Sequence, residues 1–195
     1  AIQREEFDVL CMLGLVYAKR GLHQLAIRQY DRALKLFPQD VDVLFSCAVS
    51  HKRLKNLDRA KAQLKLARRV DPGHLNTLAV LGDLLMQEED FDGALGCFEL
   101  LDKNVQSHAD CSRAMAECHE GLQDFSAAKN IYESCLQTYG QRFEFLLGMG
   151  RVSVRLKKFH VAVAHLEICL KKQPDNPEVV RFLDQARAQL ANSKI

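Results

Sequence analysis

Apolar residues recur along the chain at steps of three and four, with polar residues between them. In the first stretch Leu10, Leu13, Gly14 and Tyr17 form one face. After a break at Arg20-Gly21, a second face follows, made of Leu22, Ala26, Tyr30, Ala33 and Leu34. This rhythm predicts two amphipathic helices in succession. The same kind of break returns at Lys55-Asn56, Glu89-Asp90 and Gln123-Asp124, where Asn56, Asp90 and Asp124 are the expected helix N-caps.

The two-helix pattern itself repeats. Ala26, Ala60, Ala94, Ala128 and Ala162 stand 34 residues apart. Small residues precede them at the same interval, at Gly14, Ala48, Gly82, Ala116 and Gly150. Large residues follow at Tyr30, Leu64, Phe98, Tyr132 and Leu166, and Pro38, Pro72 and Pro174 close three of the units. Five unbroken units run 7–40, 41–74, 75–108, 109–142 and 143–176. Beyond them Asn176 caps, Pro177 suits a first helical position, and Val179, Val180, Leu183 and Ala186 give one stripe. A single polar-backed capping helix over 177–191 is expected.

These columns resemble the tetratricopeptide repeat (TPR) family, whose pattern the first unit answers with Leu10, Leu13, Gly14, Tyr17, Ala26, Tyr30, Ala33 and Pro38. The resemblance covers 7–176. It implies an all-α fold, a right-handed α-solenoid of five helix-turn-helix units plus the capping helix, within one domain over 1–195. Departures gather between the third and fourth units: Leu101 replaces the second Ala, Gln106 replaces Pro, and Ser112 stands where a large apolar residue is usual. The joint there is expected to be looser or turned differently.

In this family the first helix of each unit lines a concave groove, which implies a protein-binding scaffold. The groove positions carry Asp8, Cys11 and Leu15 in the first unit, then Asp42, Phe45, Val49 and Lys52 in the second. Asp83 and Met86 follow in the third, Glu117 in the fourth, and Arg151 and Arg155 in the fifth. The N-terminal half is thus apolar and the C-terminal half charged, with Arg113 and Glu120 among the charged groups. The row Asp8, Asp42, Asn76, Asp110, Glu144, Glu178 is either an acidic rail for a basic segment or acids favoured by helix N-termini. A subtype of the family grips a C-terminal carboxylate with Lys, Asn and Arg at set positions. Here those positions hold Cys11, Leu15, Ser46, Asn76 and Val80, and none matches.

Composition adds limits. A net charge of +2 argues against nucleic acid as the partner. No apolar run is long enough for membrane insertion. Seven cysteines, odd in number and without C-x-x-C spacing, suit a reduced, cytoplasmic compartment. Cys11 is the one to probe for reactivity. His51 and His119 stand in the Tyr17 column and are expected to pack, and Cys111, Cys118 and His119 lack the regular spacing of a metal site. Catalytic residues, metal and cofactor are not expected. The expected partner is another protein, held as a peptide or helix within a larger assembly. Two alternatives remain: self-association through a first helix whose end offers Phe7, Leu10 and Met12, as a homo-oligomer, or service as the targeting arm of a larger enzyme. The absent initiator Met points to a segment of a longer protein.

Overall fold

The computed structural model describes residues 2–104 and 109–192, so Gln106, His108 and the end of the third unit lie outside the described residues. Eleven α-helices and no strand occur among the described residues. They are α1 (Ile2–Lys19), α2 (His23–Leu36), α3 (Val41–Arg53), α4 (Leu57–Val70), α5 (Leu75–Gln87) and α6 (Phe91–Asn104). Then come α7 (Ala109–Gly121), α8 (Phe125–Tyr139), α9 (Phe143–Arg155), α10 (Phe159–Lys172) and α11 (Pro177–Asn192). Odd-numbered helices open the repeats and even-numbered ones close them; α11 is the capping helix. The chain forms two compact units, Ala1–Glu88 and Glu89–Ile195.

Within the first unit, α1 and α2 pack on each other and α2 packs on α3. Phe7, Leu10, Ala26, Tyr30, Ala33, Val43 and Cys47 form its buried cluster. A side chain on Gly14 would meet the Tyr30 ring at 2.4 Å, so only glycine lets that ring lie across α1. The second unit has two clusters. One gathers Ala116, Ala128, Tyr132, Phe145 and Met149, and the other joins Leu166 and Cys169 to Val179, Phe182 and Leu183 of α11. Gly148 takes the Tyr132 ring and Gly150 takes Leu166, with a Cβ placed at 2.3 and 2.5 Å. Ser112 lines a surface pocket of about 320 Å³ with Met115, Ile131 and Cys135, at the fourth repeat's departure from the large-residue pattern.

The turn between paired helices repeats one geometry. Gly21, Lys55, Glu89, Gln123 and Lys157 all have left-handed φ, between 58° and 76°. In four of these turns the next residue's N–H reaches back to a carbonyl five positions earlier: Leu22 to Tyr17, Asn56 to His51, Asp124 to His119 and Lys158 to Ser153, at 2.8–3.0 Å. This is the Schellman closure of a helix C-terminus. Caps divide by residue. Asp124 accepts from Ala127 N–H and Asp90 from Gly93 N–H, both at 3.0 Å, as their positions predict. Asn56 makes no side-chain cap bond; the amides there lack the cap that its position suggested. Asp40 caps α3 through Val43 N–H, and Asn176 caps α11 through the N–H groups of Glu178 and Val179.

A non-glycine residue in the left-handed region costs roughly 1–2 kcal/mol. Lys55→Gly and Lys157→Gly are therefore each expected to raise stability, by about 1 kcal/mol after glycine's own entropic cost. Gly14→Val is expected to lower it by about 1–3 kcal/mol through overpacking against Tyr30. Urea denaturation of the three variants checks both signs.

Candidate functional site

The predicted groove residues fall on the first helices of their repeats. In the first unit, Asp8, Cys11 and Leu15 lie on α1, Asp42, Phe45, Val49 and Lys52 on α3, and Asp83 and Met86 on α5. Leu15 is exposed, and Cys11, Phe45, Val49, Lys52 and Met86 are partly exposed. Asp8, Asp42 and Asp83 are exposed acids beside them. Asp8 pairs with Arg4 at 3.4 Å, one helical turn away.

Phe45 is held on one side. Its ring meets the His74 imidazole edge-on, 5.6 Å between centroids at 74°. His74 is itself fixed: Nδ1 lies 2.6 Å from Thr77 Oγ1 and Nε2 lies 3.5 Å from Asp42 Oδ1. Asp42, His74 and Phe45 thus form one chain of contacts, in which Thr77 holds the imidazole, the imidazole meets the apolar ring, and the exposed Asp42 lies beside them. His74 carried no role in the sequence reading. The signal was its place directly before α5, in the column shared with the capping residues Asp40 and Asn176.

The charged residues of the second unit are organised differently. Arg151 on α9 makes two bonds to Glu120 on α7, Nη2 to Oε1 at 2.7 Å and Nε to Oε2 at 3.1 Å. Its Nη1 reaches Glu178 of α11 at 3.2 Å. Tyr132 of α8 donates its hydroxyl to Glu120 Oε1 at 2.7 Å. The network joins four helices. Burial works against the Arg151 charge, but the hydrogen bonds and charge of Glu120 outweigh it and raise the guanidinium pKa. Burial first, and then the Glu120 charge, also raise the Tyr132 pKa, so its hydroxyl stays a donor. Glu117 is bonded by Arg113 at 2.6 Å, while Arg155 is exposed. Arg151 and Glu117 therefore already have partners inside the protein, and a bound segment would have to compete for them. Glu120 and Arg151 stand 31 positions apart, in facing columns of neighbouring repeats. That opposite-sign pairing crosses from one column to another, so it does not show in either column by itself.

The seven cysteines carry thiols and form no disulfide with one another. Burial, helped by the charges of Asp40 and Asp8, pushes the Cys11 thiol up to about 11. It is neutral near pH 7, which argues against a reactive thiolate at the position singled out for probing. Burial likewise pushes Cys47 and Cys118 up to about 12, and Cys111 and Cys169 to about 11. Cys111 donates to the Phe98 carbonyl at 3.1 Å, and Cys118 is fully buried. His51 is buried, as its column predicts, and burial lowers its pKa.

Two outcomes are expected. Arg151→Ala leaves Glu120 without its counter-ion and should cost about 3 kcal/mol, whereas Tyr132→Phe should cost about 1–2 kcal/mol, both read in urea melts. The raised thiol values mean that protonated cysteines stabilise the fold fully below the unfolded value of about 8.5, and that this stability is lost as pH rises through the folded values. The urea midpoint should fall between pH 9 and pH 12, and alkylation at pH 7.5 should be slow in the folded protein.

A tetratricopeptide repeat family model matches residues 7–40, the first repeat. The BBSome complex member BBS4 of Bos taurus is 21% identical over 183 residues, covering 94% of this chain and 35% of that protein. The chain thus spans about a third of that relative's length. Among solved structures, MamA shares the fold with a TM-score of 0.78 at 17% identity, covering 87% of this chain and 93% of that one. YrrB, a TPR protein with an unusual peptide-binding site, gives a TM-score of 0.81 at 14% identity, covering 88% and 89%. No described helix is long and apolar enough to cross a membrane. The first repeat thus matches the tetratricopeptide repeat model, and the helix pairs that follow it share the fold of solved TPR structures.

Proposed function

We propose that the chain is a protein-interaction scaffold that holds a segment of another protein against the first helices of its N-terminal unit, as one module of a larger assembly. The observation that supports this most is the apolar surface left partly open on α1 and α3. Leu15, Phe45 and Val49 lie there with Asp8 and Asp42 beside them, and the His74 ring meets the Phe45 anchor edge-on. Apolar surface rimmed by charge marks interaction sites, and a few such anchors carry most of an interface's affinity. The acids and Asp83 select a segment with apolar side chains and flanking basic residues. BBS4 is named as a member of a complex, and YrrB as a TPR protein with a peptide-binding site, which agrees with this reading.

The role is non-catalytic. The partly buried charges around Arg151 are committed to one another, and the thiols are held protonated. Seven cysteines, odd in number and without C-x-x-C spacing, favour a reducing, cytoplasmic compartment.

Phe45→Glu is expected to abolish capture of the partner segment while leaving the helical content and urea midpoint close to those of the parent. Arg155→Ala, on the other unit, is expected to leave capture within a few-fold. Affinity purification with both variants beside the parent, followed by titration of whatever is lost with Phe45→Glu, checks the placement. Unchanged affinity in Phe45→Glu would sink it.

A further inference from the structure

A pocket of about 380 Å³ lies where α2, the end of α3 and the start of α4 meet. Its lining includes Gln24 and Arg28 of α2, His51 of α3, and Asn56 and Arg59 at the start of α4. It shares no residue with the apolar surface of Leu15, Phe45 and Val49. Three of its features lack a partner inside the protein. His51 is 5% exposed, yet its Nδ1 has no hydrogen-bond partner, and buried polar atoms ordinarily have one. Asn56 stands at the N-cap of the 14-residue α4 without capping it, so the first amides of that helix have no side-chain acceptor. Arg28 and Arg59 are exposed, and neither pairs with a carboxylate among the described residues.

The fourth repeat shows what fills this place from within. His119 stands in the His51 column and Asp124 in the Asn56 column. Asp124 accepts from Ala127 N–H through Oδ1 at 3.0 Å, and its Oδ2 lies 3.8 Å from His119 Nδ1, within ion-pair distance. One acid thus serves the helix end and the imidazole together. In the second repeat that acid is a neutral amide, which neither caps α4 nor brings charge to His51. The columns that hold Gly96 and Ala127 carry Arg28 and Arg59 instead. The internal anion is therefore gone and two guanidiniums stand around its place. Two acids are nearby. Asp31 acts on His51, against burial and the charge of Arg59, and Asp58 stands in the first turn of α4. Neither takes up the arginines.

We propose that this pocket binds a phosphate monoester carried on a serine or threonine of a partner protein. The phosphate oxygens accept from the first amides of α4 and from Arg28 and Arg59, beside His51. A lone carboxylate needs only what Asp124 finds in the fourth repeat, whereas two added guanidiniums suit a dianion with three free oxygens. That a protein carries the phosphate rests on the scaffold reading above; the anion site itself does not.

Titration of the 195-residue chain with inorganic phosphate and with N-acetyl-phosphoserine amide, at constant ionic strength and followed by NMR, tests this. Saturable shifts of the His51 ring and Arg59 amide signals are expected with both, and none with N-acetyl-serine amide. Arg28→Ala with Arg59→Ala, both at exposed positions, should weaken binding by about tenfold or more. Asn56→Asp restores the acid of the fourth repeat, so it should raise the urea midpoint while weakening phosphate binding by a similar factor. The absence of a saturable shift with the phosphoserine amide overturns the proposal. So does binding that survives these substitutions, or acetate binding as tightly as phosphate. Phosphatidylcholine vesicles containing phosphatidylinositol phosphate that bind through the same two arginines would give the pocket to a lipid headgroup and overturn the assignment to a protein side chain. Capture in the groove is read separately with Phe45→Glu, so either reading can fail without the other.

Discussion

The fold depends on how closely the two helices of a repeat approach, and that distance is set by steric contact between a residue with almost no side chain and a large ring or branched chain. Gly14 under Tyr30 and Gly150 under Leu166 are two instances of one arrangement. At these two positions a Cβ would meet the side chain above it at 2.4–2.5 Å and push the second helix away, and the alanines that line the pair would lose contact with it. Because interiors are packed as densely as crystals, the loss could not be absorbed locally. The surfaces that remain for binding are those this contact leaves over: the outer sides of the first helices, whose spacing follows from it.

The two units use the same scaffold for different ends. In the first, the first helices carry apolar residues outward, and the polar contact of Thr77 with His74 holds the imidazole that meets an apolar ring. In the second, the corresponding positions carry charges that have turned inward on each other. Arg151 satisfies Glu120 and Glu178 at once, and Tyr132 supplies a further donor. A half-buried guanidinium with two carboxylates gives little net stability compared with an apolar replacement, but it strongly penalises any arrangement that separates the partners. The network therefore fixes the position of α11 more than it strengthens the fold.

Much of this was legible in the chain. The alanine and glycine columns gave helix number and pairing, because packing at those positions admits few residue types. Asn176 and Pro177 announced α11 through their own chemistry. What escaped were contacts whose partners lie in different columns. Asn56 occupies a cap position yet does not cap, since the choice between backbone and solvent is made by local geometry. His74 gains its role from Phe45 and Asp42, which lie about 30 residues earlier. The left-handed turn residues were hidden for the opposite reason. Lys55, Glu89, Gln123 and Lys157 tolerate a conformation that glycine would signal openly, so only Gly21 marked the geometry in the sequence.

The tie between Arg151 and Glu178 also bears on how the second unit opens. Terminal helices ordinarily fray first, since they have neighbours on one side only. Here, releasing α11 would strip a carboxylate from a guanidinium that also serves Glu120 and Tyr132. The last helix therefore detaches as part of a cooperative block with α7, α8 and α9 rather than by itself. Amide protons along α11 would then exchange with solvent at rates set by that block.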